Sequence, residues 1–384
     1  MAKTAFVGAK VFSTDTEEFF DACLVSENGY ITYIGNDIPD GCERVYLDGK
    51  YLIPGLIDVH THGIAGYDFN TASEEDISKM CHRYASLGTT SVMATLASDT
   101  VSHYVNSICA INQIRLNDKK GIANILGVHL EGRYLNPDMK GAHAIELLAL
   151  PNEEEAELLA STMMPPPMHF SLAPELEGAH GFIKKVCELG ATVGIAHTNA
   201  TYEEARKALE LGARSFTHTF NAMTKLHHRM PGATACSLVS DDAYSEIIPD
   251  GQHVHPAMVK LAYKSKPKDK LVLITDSLAA TDQPDGEYNV AGSPFYVKDG
   301  LARLADGTIA GSTLTMFGAL KNIMKFADIS LNEAIKYVTV NPASMVKANG
   351  VGRLEKCYRA DFIVLDNIDN IEIDTVYVGG VEVK

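Results

Sequence analysis

Two histidines separated by one residue, His60 and His62, close the apolar stretch YLIPGLIDVHTHG at residues 51–63. In an extended segment residues i and i+2 face the same side, so both imidazoles point into one space. Further apolar stretches end on residues of the same chemical kind: Glu131 after ILGVHL, His197 after TVGIA, His218 within RSFTHTF and Asp276 after LVLIT. Imidazole and carboxylate are ligands for zinc and other first-row divalent ions. A set without cysteine that leaves a position for water is of the catalytic type. Taken singly, each of these residues reads as an ordinary hydrogen-bonded strand end. Six together argue for a metal, because unpaired polar groups gathered in one buried place cost several kcal/mol each.

The elements that carry these residues follow a repeating pattern. Eight strand-like runs can be counted: LIDVH, TSVMATL, ILGVHLE, MHFSLAPE, TVGIAH, RSFTHTF, SEIIPD and LVLITD. Helical periodicity fills the gaps. Ser73 opens a helix with Ile77, Met80, Cys81, Tyr84 and Leu87 at helical spacing, and Gly88 is a fitting stop. Thr201 with Glu204, and Ser330 with Glu333, make capping-box patterns. MMPPPM at 163–168 is a stiff local breaker. Strands alternating with helices over residues 53–345 predict an α/β fold, a (β/α)8 TIM-type barrel, whose catalytic groups project from the C-terminal strand ends. Residues 1–52 and 346–384 alternate differently, as short strands, with a hairpin signal at Asn28-Gly29. Neither end can cover its own faces, so the two are expected to join as one small β-sandwich domain.

Composition narrows the class. The chain has 384 residues, 46% hydrophobic and 21% charged, enough for a large core and a second small domain. No run reaches the length of a membrane span and the start lacks an apolar secretory segment, so a cytoplasmic protein without a membrane partner is expected. Seven cysteines lie scattered without C-x-x-C spacing, which points to reduced thiols. A net charge of −16 argues against nucleic acid as a partner, and an anionic ligand would need a local cluster of cations.

The segments PGLIDVHTHG, GVHLEG (127–132), LAPE (172–175), GIAHTNA (194–200), THTFNAM (217–223), HHRMPG (227–232), PDGQHVHP (249–256), LITDS (273–277) and GTIAGS (307–312) resemble the N-acetylglucosamine-6-phosphate deacetylases of the amidohydrolase superfamily. The resemblance runs in order along essentially the whole chain. H-x-H is shared across the superfamily, whereas HLEG, FNAM and H-R-x-P-G together mark the deacetylase branch. In that branch the glutamate on strand three, here Glu131, replaces a carbamylated lysine on strand four, and HFSLAPE has no lysine to offer.

The resemblance implies hydrolysis of the acetamide of N-acetylglucosamine 6-phosphate to glucosamine 6-phosphate and acetate. Amide hydrolysis needs a strong nucleophile, a polarised carbonyl and an acid for the amine, and a divalent metal, zinc or iron, supplies the first by acidifying water. By similarity Glu131, His197 and His218 hold the main ion, and His60 and His62 complete a second site sharing Glu131, so one or two metals per subunit are implied. Asp276 is placed to take the proton and pass it to the amine, although TDS would also suit a turn cap. His143, in KGAHA, would polarise the carbonyl; from the residues alone it is a loop histidine. For the substrate, Ala142, His143, Asn221, Ala222, His228, Arg229, His253, Ile309, Ala310 and Gly311 match the family's contacts. Arg229 would grip the phosphate with its planar fork, although KLHHR by itself is a solvated basic loop. In relatives the arginine loop reaches a neighbouring subunit, so a homodimer is implied.

One departure stands out. After Glu131-Gly132 the family has proline and an aromatic residue, whereas this chain has Arg133-Tyr134. An added cation beside the metal strands could contact the phosphate and alter sugar selection, which keeps N-acetylgalactosamine 6-phosphate open as the substrate. A cyclic-amide hydrolase would share the barrel and H-x-H but require the missing lysine. A non-catalytic homologue would have lost ligands, and none is lost here.

Overall fold

The computed structural model describes residues 3–117, 119–163, 167–290 and 293–383. Among them, eight parallel strands carry the ligand-type residues: β1 (Leu56–Thr61), β2 (Thr89–Ala97), β3 (Asn124–Glu131), β4 (Met168–Leu172), β5 (Thr192–Ile195), β6 (Ser215–Phe216), β7 (Tyr244–Ile247) and β8 (Leu271–Leu273). They neighbour one another in chain order. The ring closes beyond β8, where Thr61 and Ser277 form a parallel bridge. There the Asp276 N–H donates to the His60 carbonyl at 2.9 Å and the His62 N–H to the Ser277 carbonyl at 2.8 Å. The strands are buried nearly throughout, as a parallel sheet sheathed by helices requires. All eight expected runs are strands of this barrel.

The crossover helices begin where local chemistry says they should. Ser73 accepts from the Asp76 N–H at the start of Glu74–Ser86, and Thr201 and Glu204 satisfy each other's backbone donors before Tyr202–Leu211. Ser330 accepts from the Glu333 N–H, but Leu331–Ala334 is a single turn that tightens into the 3-10 segment Ile335–Val338. The middle of the proline run, 164–166, lies outside the described residues. No helix among those described is long and apolar enough to cross a membrane, and the seven cysteines are free.

Strands from both chain ends share one mixed eight-stranded sheet. Phe362–Leu365 pairs antiparallel with Tyr51–Pro54, the strand that leads directly into β1. Asn28 and Gly29 both take positive φ between Glu18–Glu27 and Tyr30–Gly35, which is the tight hairpin turn their types favour. The sheet curls over a core of its own that includes Phe6, Val11, Leu24, Leu52, Phe362 and Tyr377. The Phe6 ring lies 4.8 Å from both Phe362 and Tyr377, although one strand separates its own from that of Phe362 and two separate it from that of Tyr377.

A four-stranded antiparallel sheet not expected from the sequence is inserted after β8: Gly286–Val290, Ser293–Lys298, Leu301–Arg303 and Ile309–Gly311. Its signal was present in Asp299-Gly300 and Asp306-Gly307, turn pairs between short alternating runs. This insertion brings Thr308, Ile309, Ala310 and Gly311 over the open end of the barrel.

Candidate metal centre and active site

Glu131, the last residue of β3, is the hub toward which the other strand ends point. Its Oε2 lies 2.9 Å from His62 Nε2 and 3.3 Å from His60 Nε2; its Oε1 lies 2.9 Å from His218 Nε2 and 3.2 Å from His197 Nε2. Asp276 Oδ1 closes the group at 3.2 Å from His62 Nε2 and 3.4 Å from His60 Nε2. All six side chains named from the sequence therefore meet in one place. His60, His62, Glu131 and Asp276 place one ligand atom each within 4.8 Å of one another, as do Glu131, His143 and His197.

The donor chemistry fits a cation better than a set of ordinary hydrogen bonds. His197 Nδ1 is 2.7 Å from the Met139 carbonyl, which only accepts, so Nδ1 carries the hydrogen. The Nε2 of this ring faces Glu131 Oε1 at 3.2 Å and His218 Nε2 at 3.1 Å, and is the ring atom left for a cation. His60 Nε2 is close to two carboxylate oxygens yet aligned for a hydrogen bond with neither. Its Nδ1 is engaged instead, 3.3 Å from the wholly buried Glu246, a carboxylate–histidine pairing typical beneath a metal. A divalent ion between these atoms would use their lone pairs.

Charge tells the same story. Burial would raise the Glu131 carboxyl, but the surrounding imidazoles, His60 foremost, hold it well below the usual carboxylate range. Burial would likewise lower the imidazoles, yet Glu131 and Asp276 push His60 well above its ordinary value, His62 to about 9 and His218 upward. The two carboxylates thus demand positive charge, which protons supply when no metal does. His143 goes the other way, to about 3, through burial and then the neighbouring His197. It remains a neutral ring.

Three of these residues sit in backbone that side chains rarely adopt. His197, His218 and Asp276 have φ of 44°, 32° and 50°, a left-handed conformation that costs about 1 kcal/mol or more each. The framework holds them there: Asn136 N–H donates to the His197 carbonyl, Asn221 N–H to that of His218 and Ser312 N–H to that of Asp276. The turn rotates each side chain off the strand and into the opening.

A cavity of about 570 Å³ covers the centre. Ala142, His143, Asn221, Ala222, His253, Ile309, Ala310 and Gly311, all expected at the substrate, line it. His253 Nδ1 is 2.6 Å from Asp250 Oδ2, which leaves Nε2 as the atom available to a ligand. His228 and Arg229 are not brought there. They lie on an exposed loop, the guanidinium hydrogen-bonded to the His228 ring at 3.0 Å, because the chain turns outward after Met223 before Gly232–Val239 begins. Arg133 also points elsewhere. Its guanidinium is held in a fork by Glu155, at 2.9 and 3.2 Å, and Tyr134 donates to the same carboxylate. Contrary to the expectation that it contacts the phosphate, Arg133 does not line the cavity. Lys140 lines the cavity, with its ammonium on the Gly141 and His143 carbonyls, and was not singled out in the sequence. Glu246 was also missed, although one acid within the buried run YSEII was a usable signal.

The amidohydrolase family profile matches residues 51–383. The chain belongs to this family. Among amidohydrolase relatives, the N-acetylglucosamine-6-phosphate deacetylase of Lysinibacillus sphaericus is 32% identical over 343 residues, covering 88% of each chain. The N-acetylgalactosamine-6-phosphate deacetylase of Escherichia coli O157:H7 is 34% identical over 334 residues, covering 87% of this chain and 88% of the relative. Among solved structures, a variant of the Mycobacterium smegmatis N-acetyl-D-glucosamine-6-phosphate deacetylase in complex with N-acetyl-D-glucosamine-6-phosphate superposes with a TM-score of 0.90 at 27% identity, covering all of both chains.

Proposed function

We propose that this amidohydrolase removes the acetyl group of N-acetylglucosamine 6-phosphate, giving glucosamine 6-phosphate and acetate. The observation that carries the reading is the convergence of four imidazoles and Asp276 around the buried Glu131 carboxylate, at the floor of a cavity lined by residues that the resemblance to these deacetylases implied at the substrate. Glu131, His197 and His218 would hold one divalent ion, zinc or iron, and His60 and His62 with Glu131 a second. When bound, such an ion supplies an acidified water and a Lewis acid for the carbonyl.

In this reading Asp276 is the proton carrier. Burial alone would raise its carboxyl, but His60 and His62 hold it below the usual range, so it stands ionised. It takes a proton from the attacking water at Oδ1 and delivers it to the departing nitrogen. His143, kept neutral, donates from Nε2 to the carbonyl oxygen as negative charge builds there. Asn221, Ala222, Ile309, Ala310 and Gly311 shape the walls, with His253 Nε2 free to accept from a sugar hydroxyl.

The phosphate requires a second copy of the chain. Arg229 and His228 stand outside their own cavity, on a loop with the exposed apolar residues Leu226 and Met230, and we place them in the site of a partner subunit in a homodimer. The galacto epimer is the second reading, favoured by the 34% identity to a deacetylase of that substrate. The test is acetate release from both 6-phosphates by metal-loaded protein, alongside Asp276→Asn. Turnover should fall at least about 10³-fold in the variant with metal content and unfolding temperature kept. No acetate from either epimer, or an unimpaired variant, removes the proposal.

A further inference from the structure

Ser98 lies one residue beyond β2, almost wholly buried, and takes no part in the metal cluster. Its Oγ accepts the Arg133 N–H at 3.0 Å and lies 2.9 Å from His143 Nδ1. Its own N–H is directed at the same nitrogen, at 3.3 Å. A backbone N–H can only donate, so the nitrogen it faces accepts. With the Arg133 N–H on Oγ, the hydroxyl hydrogen is also free to turn toward Nδ1. A neutral imidazole whose Nδ1 accepts carries its hydrogen on Nε2.

That hydrogen has one direction to go. His143 Nε2 faces the centre, 3.8 Å from Glu131 Oε2, and the ring stands edge-on to His197, with centroids 4.8 Å apart. Proximity alone would admit His143 to the ligand set together with Glu131 and His197. The two rings nevertheless hold opposite tautomers. Met139 O draws the hydrogen of His197 to Nδ1 and leaves Nε2 a lone pair for a metal. Ser98 does the reverse for His143, and a nitrogen that bears hydrogen cannot ligate.

We infer that Ser98 is the positioning residue of His143: by donating twice to Nδ1 it holds the ring as a hydrogen-bond donor aimed at the scissile carbonyl and keeps it out of the metal's ligand set. The inference rests on the deacetylase reading for the identity of the carbonyl, but not for the state of the ring. Arg133 enters through its backbone N–H, a donor that a proline at this position, as in the family, would lack.

The ring state can be read directly. In zinc-loaded protein carrying 15N-labelled histidine, His143 should show a protonated Nε2 and an unprotonated, hydrogen-bonded Nδ1, assigned by comparison with His143→Gln. A protonated Nδ1, or an Nε2 signal displaced by bound metal, would overturn the inference whether or not the protein deacetylates anything. Conversely, a wild-type protein that releases no acetate while showing the expected ring state would refute the function and leave the tautomer standing. In the active enzyme, Ser98→Ala should lower kcat roughly 10- to 100-fold, as loss of an outer partner does, with KM and zinc content unchanged. Ser98→Thr, which keeps the hydroxyl, should recover most of it. A Ser98→Ala enzyme with wild-type kcat, or one that loses zinc in proportion to rate, would sink the positioning role.

Discussion

Gly132→Ala tests how the barrel delivers Glu131 to its four imidazoles. Gly132 has a φ of 152°, and a methyl group there would lie 2.4 Å from Ser98 Oγ, 2.5 Å from Ser98 N and 2.6 Å from Ser98 Cα. Two of these are backbone atoms at the end of β2 and cannot swing aside. Ordinary carbon contacts begin near 3.4 Å, so the ends of β2 and β3 must part by about 1 Å. Their ladder is hydrogen-bonded up to the Glu131–Ala97 pair, so the displacement falls on Glu131 and on the loop after it. Metal ligands tolerate about 0.2 Å, and a misplacement of about 1 Å at a reacting centre costs on the order of 10²-fold in rate. The backbone strain adds about 1–3 kcal/mol of destabilisation. The expected variant therefore unfolds cooperatively at a lower temperature, binds substoichiometric metal after purification without added ions, and loses about 100-fold in kcat/KM. Metal analysis by mass spectrometry, thermal unfolding and acetate release measure the three effects. Full metal occupancy with unimpaired turnover would show that the close approach of Gly132 to Ser98 does not set the position of Glu131.

Three further outcomes are expected. Arg229→Ala should raise KM for the phosphorylated sugar about tenfold or more and leave unphosphorylated N-acetylglucosamine unaffected; mixing it with Asp276→Asn subunits should restore activity, and no recovery would refute a shared site. Metal affinity should climb with pH, because the ion must displace protons from His60, His62 and His218; each displaced proton contributes roughly tenfold per pH unit until pH passes about 9 for His62. For the metal-free protein the sign is opposite: a raised imidazole pKa stabilises the fold fully below its ordinary 6.5, and that contribution fades as pH rises through about 9. Calorimetric titration in buffers of different ionisation heat, and unfolding of both forms across this window, check the pair; flat affinity between pH 7 and 9 would contradict the assignment. Arg133→Ala should cost about 1–2 kcal/mol through loss of the half-buried fork to Glu155 and leave KM unchanged, whereas a raised KM would return Arg133 to the substrate.

The eight barrel strands and the six ligand-type residues were legible in the sequence because both arise from local regularities. A strand buried on both faces must be a short apolar run, and a polar residue that ends such a run must have a partner. The capping at Ser73 and Thr201 and the Asn28-Gly29 turn are equally local, since each satisfies donors or dihedrals within four residues. The insertion at 286–311 escaped notice because its strands alternate weakly and are partly exposed.

Other features exist only in three dimensions. Nothing in the order of residues says that Glu155 takes the Arg133 guanidinium away from the cavity, or that Glu246 lies beneath His60, 186 positions away. Nor can residue types distinguish His197 from His143. Both are histidines at the same centre, and what separates a lone-pair ligand from a hydrogen donor is whether Nδ1 meets the carbonyl of Met139 or the N–H and hydroxyl of Ser98. Sequence determined which chemical groups converge, because burial of polar residues at strand ends admits few explanations. Tertiary structure decided what each group does there, because a ring's tautomer and a carboxylate's charge are set by neighbours that arrive from distant parts of the chain.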